Sequence, residues 1–571
     1  MTNLRRLTLS RIGGLFVGLV FILAISIACS SDQPTRATAP AQPAAAAAPA
    51  AAVQAPVVII SGAPTAIPAR ATATRVVPTA TSVATSGPKY GGILRNAKPL
   101  GRLDSLDGHI NRRYEGLEAM FAIYNNIVQI APDGTIAPDL AKSWEISNDG
   151  MAITFNLQTG VKFHDGTSMD ASSLKWNIER ILNPDVGSSQ LNVIGPYIAS
   201  AEVIDQNTFK LNLSEPFRPL LAVLGERSGY VLSPTAVQTM GQKFEVSPVG
   251  TGPFTITKWD PTGDIHLEKN DEYWESGKPY LDGMHFQNLT DPDVRLAMIR
   301  TGETDVMHEV EPTQIPLVEG DPTIQIRDFS GGQTWGFRFV MKPPYDNIAL
   351  RQALAYATDR VTFNQVFYEG RARDAYVAGT MSWEYNPDLT PMKYDLAKSK
   401  AKFAEAGYSS SSTLPLWCRG NNIELLRCEI YQAALAESGI NMELITLPSS
   451  DWWISFRPDY KDRNLFGMYW FNPRGDPHQS PQRVFHTNGG SNRMDYSNVE
   501  VDNLIDEAAK IYDIAKAKTM YDRMNIILAK EDPAMVFTSN PIAYTLLGSQ
   551  VRNFSFVPDY FPRIRELWLD K

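Results

Sequence analysis

Residues 249–286 read "VGTGPFTITKWDPTGDIHLEKNDEYWESGKPYLDGMHF", and the interpretation of the whole chain starts from this stretch. Gly250 and Gly252 stand one residue apart, as at the start of a dinucleotide-binding loop. That fingerprint needs a third glycine three residues later and a helix after it, but Thr255 stands there and the strand pattern "FTITKW" follows. We therefore exclude a phosphate-binding loop. The glycines instead predict a tight loop, in which they supply a positive φ or let another backbone pass close by.

The second half of the same stretch predicts a β-hairpin. "FTITKW" and "IHLEKN" alternate as half-buried strands do, and Pro261–Gly263 lies between them with turn residues. The same alternation predicts strands at Ile153–Leu157 and Thr208–Leu213. The first half of the chain is therefore expected to be rich in strands.

Helix signals dominate the second half of the chain, so the fold class is α/β. Asn347, Asp395 and Asn498 each precede an amphipathic pattern and are predicted N-caps, and Gly407 is predicted to end the second of these helices. Met520–Ala529 predicts one more helix. The stripe predicted for the first helix consists of Leu350, Ala353, Leu354, Ala357 and Val361.

Length and charge limit the classes of function. A chain of 571 residues exceeds one ordinary core, so two or more domains are expected. The formal net charge of −9 argues against nucleic acid as a partner. The 7 histidines are scattered without metal-ligand spacing, so we predict neither a metal site nor a cofactor.

The N-terminal residues predict export. Within residues 1–29, basic residues precede the uncharged, mostly apolar run Ile12–Ala28, and Cys29 follows it. The small residues before Cys29 resemble the lipobox of bacterial lipoproteins, which implies lipidation of Cys29. An uncleaved membrane anchor is the alternative. In both cases the body of the protein is expected on the periplasmic or cell-surface side of the cytoplasmic membrane, attached to it.

Residues 30–89 are rich in Ala, Pro and Thr and contain few large apolar residues. Such a composition cannot form a core, so this segment is predicted to be a tether. The fold is expected to begin near Tyr90. Cys418 and Cys428 could pair in an exported protein; two free buried thiols are the alternative.

A series of further stretches accompanies residues 249–286 in a fixed order along residues 90–571. The series resembles the family-five extracytoplasmic solute-binding proteins of ABC importers, the dipeptide, oligopeptide and nickel class, in a lipoprotein form. The matching stretches are "GGILRNAKPLGRLDSLDG" (91–108), "IAPDLAKSWEISNDGMAITFNLQTGVKFHDGTSMDASSLKWNIERI" (136–181), "DVRLAMIRTGETDV" (293–306), "PPYDNIALRQALAYATDR" (343–360), "YDLAKSKAKFAEAG" (394–407) and "YSNVEVDNLIDEA" (496–508).

The resemblance implies a two-lobed periplasmic-binding-protein fold of the class II type, enlarged and joined by a two-segment hinge. Lobe I would comprise 90–333 and return at 538–571, and lobe II would comprise 334–537. The lobes would close on a solute and deliver it to the permease subunits of an ABC importer. A protein of this kind is a monomer that performs no chemistry itself, so it is not an enzyme.

Ligand-binding residues are also implied by the resemblance. In peptide-binding members an aspartate near an Asp-Pro pair often binds the ligand amine, and the matching stretch here is "GMYWFNPRGDP" (467–477). Asp476 aligns with that motif and would bind an amine, with Arg474 two residues earlier. The alternative for Asp476 is a turn aspartate before Pro477.

Aromatic residues near that motif are the second predicted part of the site. Aromatic walls suit ligands with mixed apolar and polar faces, and core packing is the alternative for each of these residues. The candidates are Trp452, Trp453, Trp470 and its neighbours Tyr469 and Phe471, together with Trp335, which would lie at the hinge beside Gly331 and Gly332. His164 in "FHDG" is interpreted as part of a turn, not as a catalytic or metal-binding residue.

The predicted cargo is a peptide or a solute of similar size. An oligosaccharide is the alternative, because the same tryptophans could stack on sugar rings without help from Asp476 or Arg474. A metal chelate or an opine is also compatible with the family. No nucleophile-elbow or zinc-protease motif is present. A binding protein that signals to a membrane receptor remains a third hypothesis.

Overall fold

The structure is a computed structural model. It describes residues 87–330, 333–373, 383, 385–389, 391–448, 466–471, 475–557 and 562–571. The predicted export signal at 1–29 with Cys29, and the predicted tether up to residue 86, lie outside the described residues. Within the described part of the chain, no helix combines the length and apolarity needed to cross a bilayer.

The strands of the described residues form two large sheets, one sheet of intermediate size and two short pairs. The strands are β1 (Ile93–Lys98), β2 (Val128–Ile130), β3 (Ile136–Pro138), β4 (Ala141–Ile146), β5 (Ala152–Leu157), β6 (Ile198–Asp205), β7 (Thr208–Leu213), β8 (Phe254–Trp259), β9 (Ile265–Lys269), β10 (Gly283–Asn288), β11 (Val306–Val310), β12 (Ile324–Ser330), β13 (Thr334–Phe339), β14 (Thr413–Arg419), β15 (Asn441–Leu447), β16 (Phe466–Phe471), β17 (Met535–Ser539), β18 (Ile542–Gly548), β19 (Val551–Arg552) and β20 (Trp568–Leu569).

The helices lie on these sheets and between them. The helices are α1 (Leu117–Ile123), α2 (Ala171–Leu182), α3 (Leu191–Ile194), α4 (Leu220–Leu224), α5 (Pro234–Met240), α6 (Pro292–Thr301), α7 (Ile348–Tyr356), α8 (Arg360–Tyr368), α9 (Leu396–Glu405), α10 (Asn422–Glu437), α11 (Gln479–Val484), α12 (Val499–Lys510) and α13 (Ile514–Ile526).

The largest sheet has the strand order β12-β18-β11-β1-β10-β9-β8. β1 runs parallel to β10 and β11, and the other neighbours are antiparallel. β8 and β9 form the hairpin predicted around Pro261–Gly263, which is confirmed by their antiparallel register. A four-stranded antiparallel sheet of order β4-β5-β7-β6 contains both strands predicted from the first half of the sequence.

The loop that contains Gly250 and Gly252 packs against the end of α1. Neither glycine has a positive φ. A Cβ added at Gly250 would collide with the Ile123 carbonyl oxygen, and one at Gly252 with the Ala122 carbonyl oxygen. The Gly252 N–H donates to Ile123 O at 2.9 Å. Of the two explanations for these glycines, close backbone approach is therefore the one observed.

The His164 side chain is hydrogen-bonded to the same loop. Its Nε2 donates to Gly252 O at 2.9 Å, and its Nδ1 accepts weakly from the Gly250 N–H at 3.4 Å. Burial lowers the pKa of His164 below its ordinary value, which keeps the ring neutral near pH 7. The predicted role of this residue in turn structure is confirmed.

The second large sheet has the order β15-β14-β16-β13-β17. The chain passes from the first large sheet to the second between β12 and β13, and it returns between β17 and β18. Asn540 joins the two crossings, because its Nδ2 donates to Gln333 O at 3.2 Å and to Thr334 Oγ1 at 2.8 Å. The return lies after Ser539, so the predicted lobe boundary at 537/538 falls inside β17. The division into lobes otherwise stays a prediction.

The predicted N-caps begin three helices. The side chains of Asn347, Asp395 and Asn498 each accept hydrogen bonds from the first turns of α7, α9 and α12. The prediction for Val361 was wrong, because α7 ends at Tyr356 and Asp359 caps a new helix. Val361 lies in the first turn of that helix, α8, with 79% of its surface exposed.

Two other predictions concern the second half of the chain. The helix predicted at Met520–Ala529 begins earlier, because Asp513 caps α13, and it continues through a π-helical turn to Glu531. Cys418 at the end of β14 and Cys428 in α10 form a disulfide with their Cα atoms 6.3 Å apart. This bond ties α10 to the five-stranded sheet on which it packs.

Candidate functional site

An ion pair joins residues of predicted lobe I to residues of predicted lobe II. Arg218 lies between β7 and α4, and Asp476 lies just before α11. Arg218 Nη1 donates to Asp476 Oδ2 at 2.5 Å, and Arg218 Nη2 donates to Asp476 Oδ1 at 3.2 Å. The two side chains are 9% and 5% exposed. We call this ion pair and its surroundings the junction.

The electrostatics of the junction follow from its burial. Desolvation by burial lowers the pKa of Arg218, but the Asp476 carboxylate outweighs this effect. The pKa of Arg218 is therefore above its ordinary value. Asp476 Oδ1 also accepts from the His478 N–H at 2.9 Å, as in an Asx turn. The His478 ring is buried and its pKa falls to about 4, chiefly because of desolvation. The ring is therefore neutral near pH 7 and does not repel Arg218.

Aromatic rings surround the ion pair. The Arg218 guanidinium lies 4.8 Å from the centroid of the Trp383 ring, which is cation–π distance. Phe217 stacks on Tyr197 with centroids 3.6 Å apart, and the edge of His478 meets Phe217 at 5.3 Å. These apolar walls exclude water from the charges and strengthen their attraction.

Further contacts cross the junction beside the ion pair. Glu226 Oε1 accepts from the Gly475 N–H at 2.6 Å. The backbone N–H of Arg218 donates to Ala509 O at 2.8 Å, and Lys510 Nζ lies 3.3 Å from Glu215 Oε2. The structure therefore shows the two predicted lobes in contact through charged and polar groups near Asp476.

A second group of aromatic and charged residues lies at the crossing between the large sheets. The Arg427 guanidinium lies 4.2 Å from the Trp335 ring centroid and 4.9 Å from that of Phe367. Its Nη1 donates to Glu424 Oε1, and its Nη2 donates to the Tyr368 hydroxyl, both at 3.3 Å. Trp335 is half-buried beside the predicted hinge, and one face of its ring is covered by Arg427.

Several predicted ligand-binding residues cannot be placed relative to the junction. Arg474, Trp452 and Trp453 lie outside the described residues. Trp470 lies in β16 directly opposite Trp335 of β13, and only its backbone is described. The structure thus places Asp476 at the junction and Trp335 at the crossing, and the assignment of all six residues to ligand binding stays a prediction.

The sequence did not indicate Arg218 or Arg427 as members of the site. Arg218 stands in "SEPFRPLL" (214–221), which contains no recognisable ligand motif, and it is 258 positions from its partner Asp476. The signal that could have found Arg218 is general: a carboxylate that becomes buried needs a cation nearby, but the sequence does not say which one.

Comparisons with known proteins agree with this architecture. The glutathione-binding protein GsiB of Salmonella paratyphi A is 28% identical over 421 residues, which cover 72% of this chain and 82% of that protein. The periplasmic binding protein DppA of Helicobacter pylori, solved with the peptide STSA, superposes with a TM-score of 0.73 at 24% identity, covering 85% of this chain and 99% of that one. The oligopeptide-binding protein AppA of Bacillus subtilis, solved with a nonapeptide, gives 0.71 at 21% identity, with 85% and 100% covered.

The structural likenesses confirm the predicted two-lobed periplasmic-binding-protein fold. The sequence profile described as "Bacterial extracellular solute-binding proteins, family 5 Middle" matches residues 135–494, which is more than half of the chain. Members of this family are binding proteins that work outside the cytoplasm. The chain therefore belongs to family 5 of the bacterial extracellular solute-binding proteins.

Proposed function

We propose that the protein is the solute-binding component of an ABC importer and that it captures a zwitterionic, peptide-sized solute between its lobes for a membrane permease. The observation that supports this most is the buried Arg218–Asp476 pair at the junction. Its two charges match the two ends of a peptide, since an amine needs a carboxylate and a carboxylate is best bound by an arginine.

The ion pair suggests how such a solute is accepted. Removing a buried charge from its partner is costly unless another partner replaces it. When the lobes separate, Asp476 and Arg218 become available together. A peptide amine at Asp476 and a peptide carboxylate at Arg218 then restore both interactions as the lobes close. We therefore propose that the solute replaces one internal ion pair by two ion pairs to itself.

The relatives support a solute of this size. GsiB is named as glutathione-binding, and the DppA structure contains a four-residue peptide. Glutathione and short peptides both carry an amine at one end and a carboxylate at the other. Glu226 and Lys510 add one negative and one positive charge beside the junction, where Glu226 accepts from the Gly475 N–H and Lys510 pairs with Glu215.

The attachment and partners complete the proposal. Lipidation of Cys29 would hold the protein at the membrane through the segment 30–89, within reach of the permease. The protein would act as a monomer and would catalyse no reaction. Its cargo would be released into the permease when the lobes reopen.

The purified protein should be screened by thermal shift and by calorimetry. The panel should contain glutathione, dipeptides to tetrapeptides, their N-acetylated and C-amidated forms, oligosaccharides and nickel chelates. We expect a free peptide to raise the melting temperature, since a ligand at one hundred times its dissociation constant stabilises by about 2.7 kcal/mol. Blocking either peptide end should weaken binding at least about tenfold, because one charge then stays unpaired in the closed form.

Variants separate the role of the junction from general charge effects. Asp476→Asn and Arg218→Gln should each weaken binding of the free peptide. The N-acetylated peptide has no free amine to pair with Asp476, so it should bind the Asp476→Asn variant about as well as it binds the parent protein. The matched control is Asp104→Asn, because Asp104 pairs with Arg102 on the surface, where the two side chains are 64% and 71% exposed. An oligosaccharide that binds equally well to all three variants would favour the sugar-binding alternative and contradict the peptide proposal.

A further inference from the structure

Two histidines on successive strands lie side by side on the largest sheet. The antiparallel register of β9 and β10 places His266 directly opposite His285. Their rings stack with centroids 4.1 Å apart and planes inclined by 18°. Both side chains point away from the core, because Ile265, Leu267 and other alternate residues of the strands are the buried ones.

An aspartate completes the group. Asp264 precedes β9, and its Oδ2 lies 2.7 Å from His285 Nε2. Its Oδ1 accepts from the backbone N–H of Asn288 at 2.9 Å, which fixes the direction of the carboxylate. The Asp264 and His285 side chains are 42% and 24% exposed, so an ion could reach them from solvent.

We propose that Asp264, His266 and His285 bind one divalent transition-metal ion of the Zn²⁺ class. One nitrogen from each histidine and one oxygen from the aspartate lie within 4.8 Å of one another. We call this group the histidine cluster.

The donor set selects the class of ion. Two imidazole nitrogens and one carboxylate oxygen suit Zn²⁺, Ni²⁺ or Cu²⁺, whereas Mg²⁺ and Ca²⁺ prefer oxygen ligands alone. In a tetrahedral zinc site the ligand atoms are about 3.4 Å apart, given bonds of about 2.1 Å. To bind one ion, the two rings must turn out of their stacked arrangement, because the lone pair of each nitrogen lies in its ring plane. The remaining position would be taken by water or by a group from a partner.

The residues of the histidine cluster are not among those of the junction, and their strands lie away from the crossing between the two large sheets. β9 and β10 lie toward the β8 edge of the seven-stranded sheet, whereas the crossings to the other large sheet leave from β12 and β18 at the opposite edge. The proposed metal site is therefore independent of the proposed solute site. Metal binding here should neither require the solute nor be blocked by it.

A neighbouring lysine provides an internal test of the electrostatics. Lys258 of β8 is in register with His266, which puts a positive charge on the strand next to the histidine cluster. The same charge should oppose a bound cation. Replacing Lys258 by a neutral residue of similar length should therefore strengthen metal binding.

The test uses the full chain, stripped of metal with EDTA and then freed of the chelator. It is titrated with Zn²⁺ by calorimetry and with Co²⁺ by visible absorption. We expect one equivalent of Zn²⁺ per chain, and Co²⁺ bands typical of nitrogen and oxygen ligands without a thiolate band from Cys29. His266→Ala and His285→Ala should each weaken Zn²⁺ binding by more than about tenfold, and Lys258→Gln should strengthen it about threefold.

The control is His486→Gln. His486 is a partly buried histidine with Asp502 and Asp506 nearby, at 4.0 and 3.4 Å from its Nε2, so it offers a competing explanation for zinc binding. We expect this variant to bind like the parent protein. Loss of zinc binding in His486→Gln, unchanged binding in His266→Ala and His285→Ala, or no zinc binding by the parent protein would each overturn the proposal. Circular dichroism of the metal-free variants verifies that they are folded.

Discussion

The junction and the histidine cluster both contain an aspartate next to a turn, yet their environments differ. The Asp476 side chain is 5% exposed and pairs with Arg218, whereas the Asp264 side chain is 42% exposed and faces two histidines. A buried charge must find its partner inside the protein, because desolvation is too costly otherwise. A half-exposed carboxylate is still solvated and can remain available for an ion. Burial therefore determines whether a charged group already has a partner inside the protein, as Asp476 has in Arg218, or stays open to an ion from solvent, as Asp264 does.

The largest expected difference between the two sites is in stability. Asp476→Ala should lower the free energy of unfolding by about 3–5 kcal/mol, because it leaves Arg218 buried without its partner. Asp264→Ala should cost about 1 kcal/mol or less, since the lost interactions are partly solvated. Urea denaturation of both variants measures the two values.

The double variant Arg218→Met/Asp476→Leu is the control for this comparison. It removes both charges and keeps apolar volume, so it should be clearly more stable than Asp476→Ala alone. Equal losses in Asp476→Ala and Asp264→Ala would show that burial does not distinguish the two carboxylates.

The second prediction concerns pH. Desolvation lowers the pKa of the buried His109 and His478 to about 4 in the folded protein, against an ordinary value of about 6.5. The unfolded chain binds protons first as the pH falls, so stability is complete above pH 6.5 and is lost between about pH 6.5 and 4. Each histidine should contribute up to about 3 kcal/mol to that loss.

Unfolding free energies at pH 7.5 and 4.5, measured for the parent protein and for His478→Gln, test this. The variant should lose less stability between the two pH values than the parent. A parent protein equally stable at both pH values would contradict the prediction. Glu118 contributes to stability at lower pH. Its desolvation raises its pKa, but neighbouring His308 and Lys98 outweigh this effect and lower the pKa to about 2. The stability that Glu118 contributes is therefore lost only below about pH 4.5.

The smallest effect is expected at the histidine cluster without metal. His285→Ala should change the free energy of unfolding by no more than about 0.5 kcal/mol, as is usual for surface substitutions. Added Zn²⁺ should stabilise the parent protein and not this variant. A large loss of stability in metal-free His285→Ala would instead assign the histidine stack a structural role.

Local patterns predicted much of the fold. The β8–β9 hairpin and the caps Asn347, Asp395 and Asn498 followed from short stretches, because turn residues and capping side chains act within three or four positions. Val361 was misplaced for a related reason. The helical period continues through it, and the local competitor, Asp359 as a new N-cap, was not recognised.

Long-range contacts explain what local patterns missed. The glycines of "VGTGPF" are required by the backbone of α1, which packs on them from more than a hundred positions away. Scattered histidines indicated no metal site, yet strand register places His266 beside His285. Arg218 could not be predicted as the partner of Asp476, because the two residues are 258 positions apart in the sequence.

The sequence by itself determined the family, the α/β class, the hairpin and the starts of three helices, because these depend on neighbours in the chain or on a long ordered series of motifs. Only the tertiary structure decided that Arg218 neutralises Asp476, that Cys418 is bonded to Cys428 and that two histidines on successive strands share one surface. The reason is physical. Burial and strand register are properties of the packed chain. Burial determines whether a charged group needs a partner of opposite charge, and register determines which residue lies beside it.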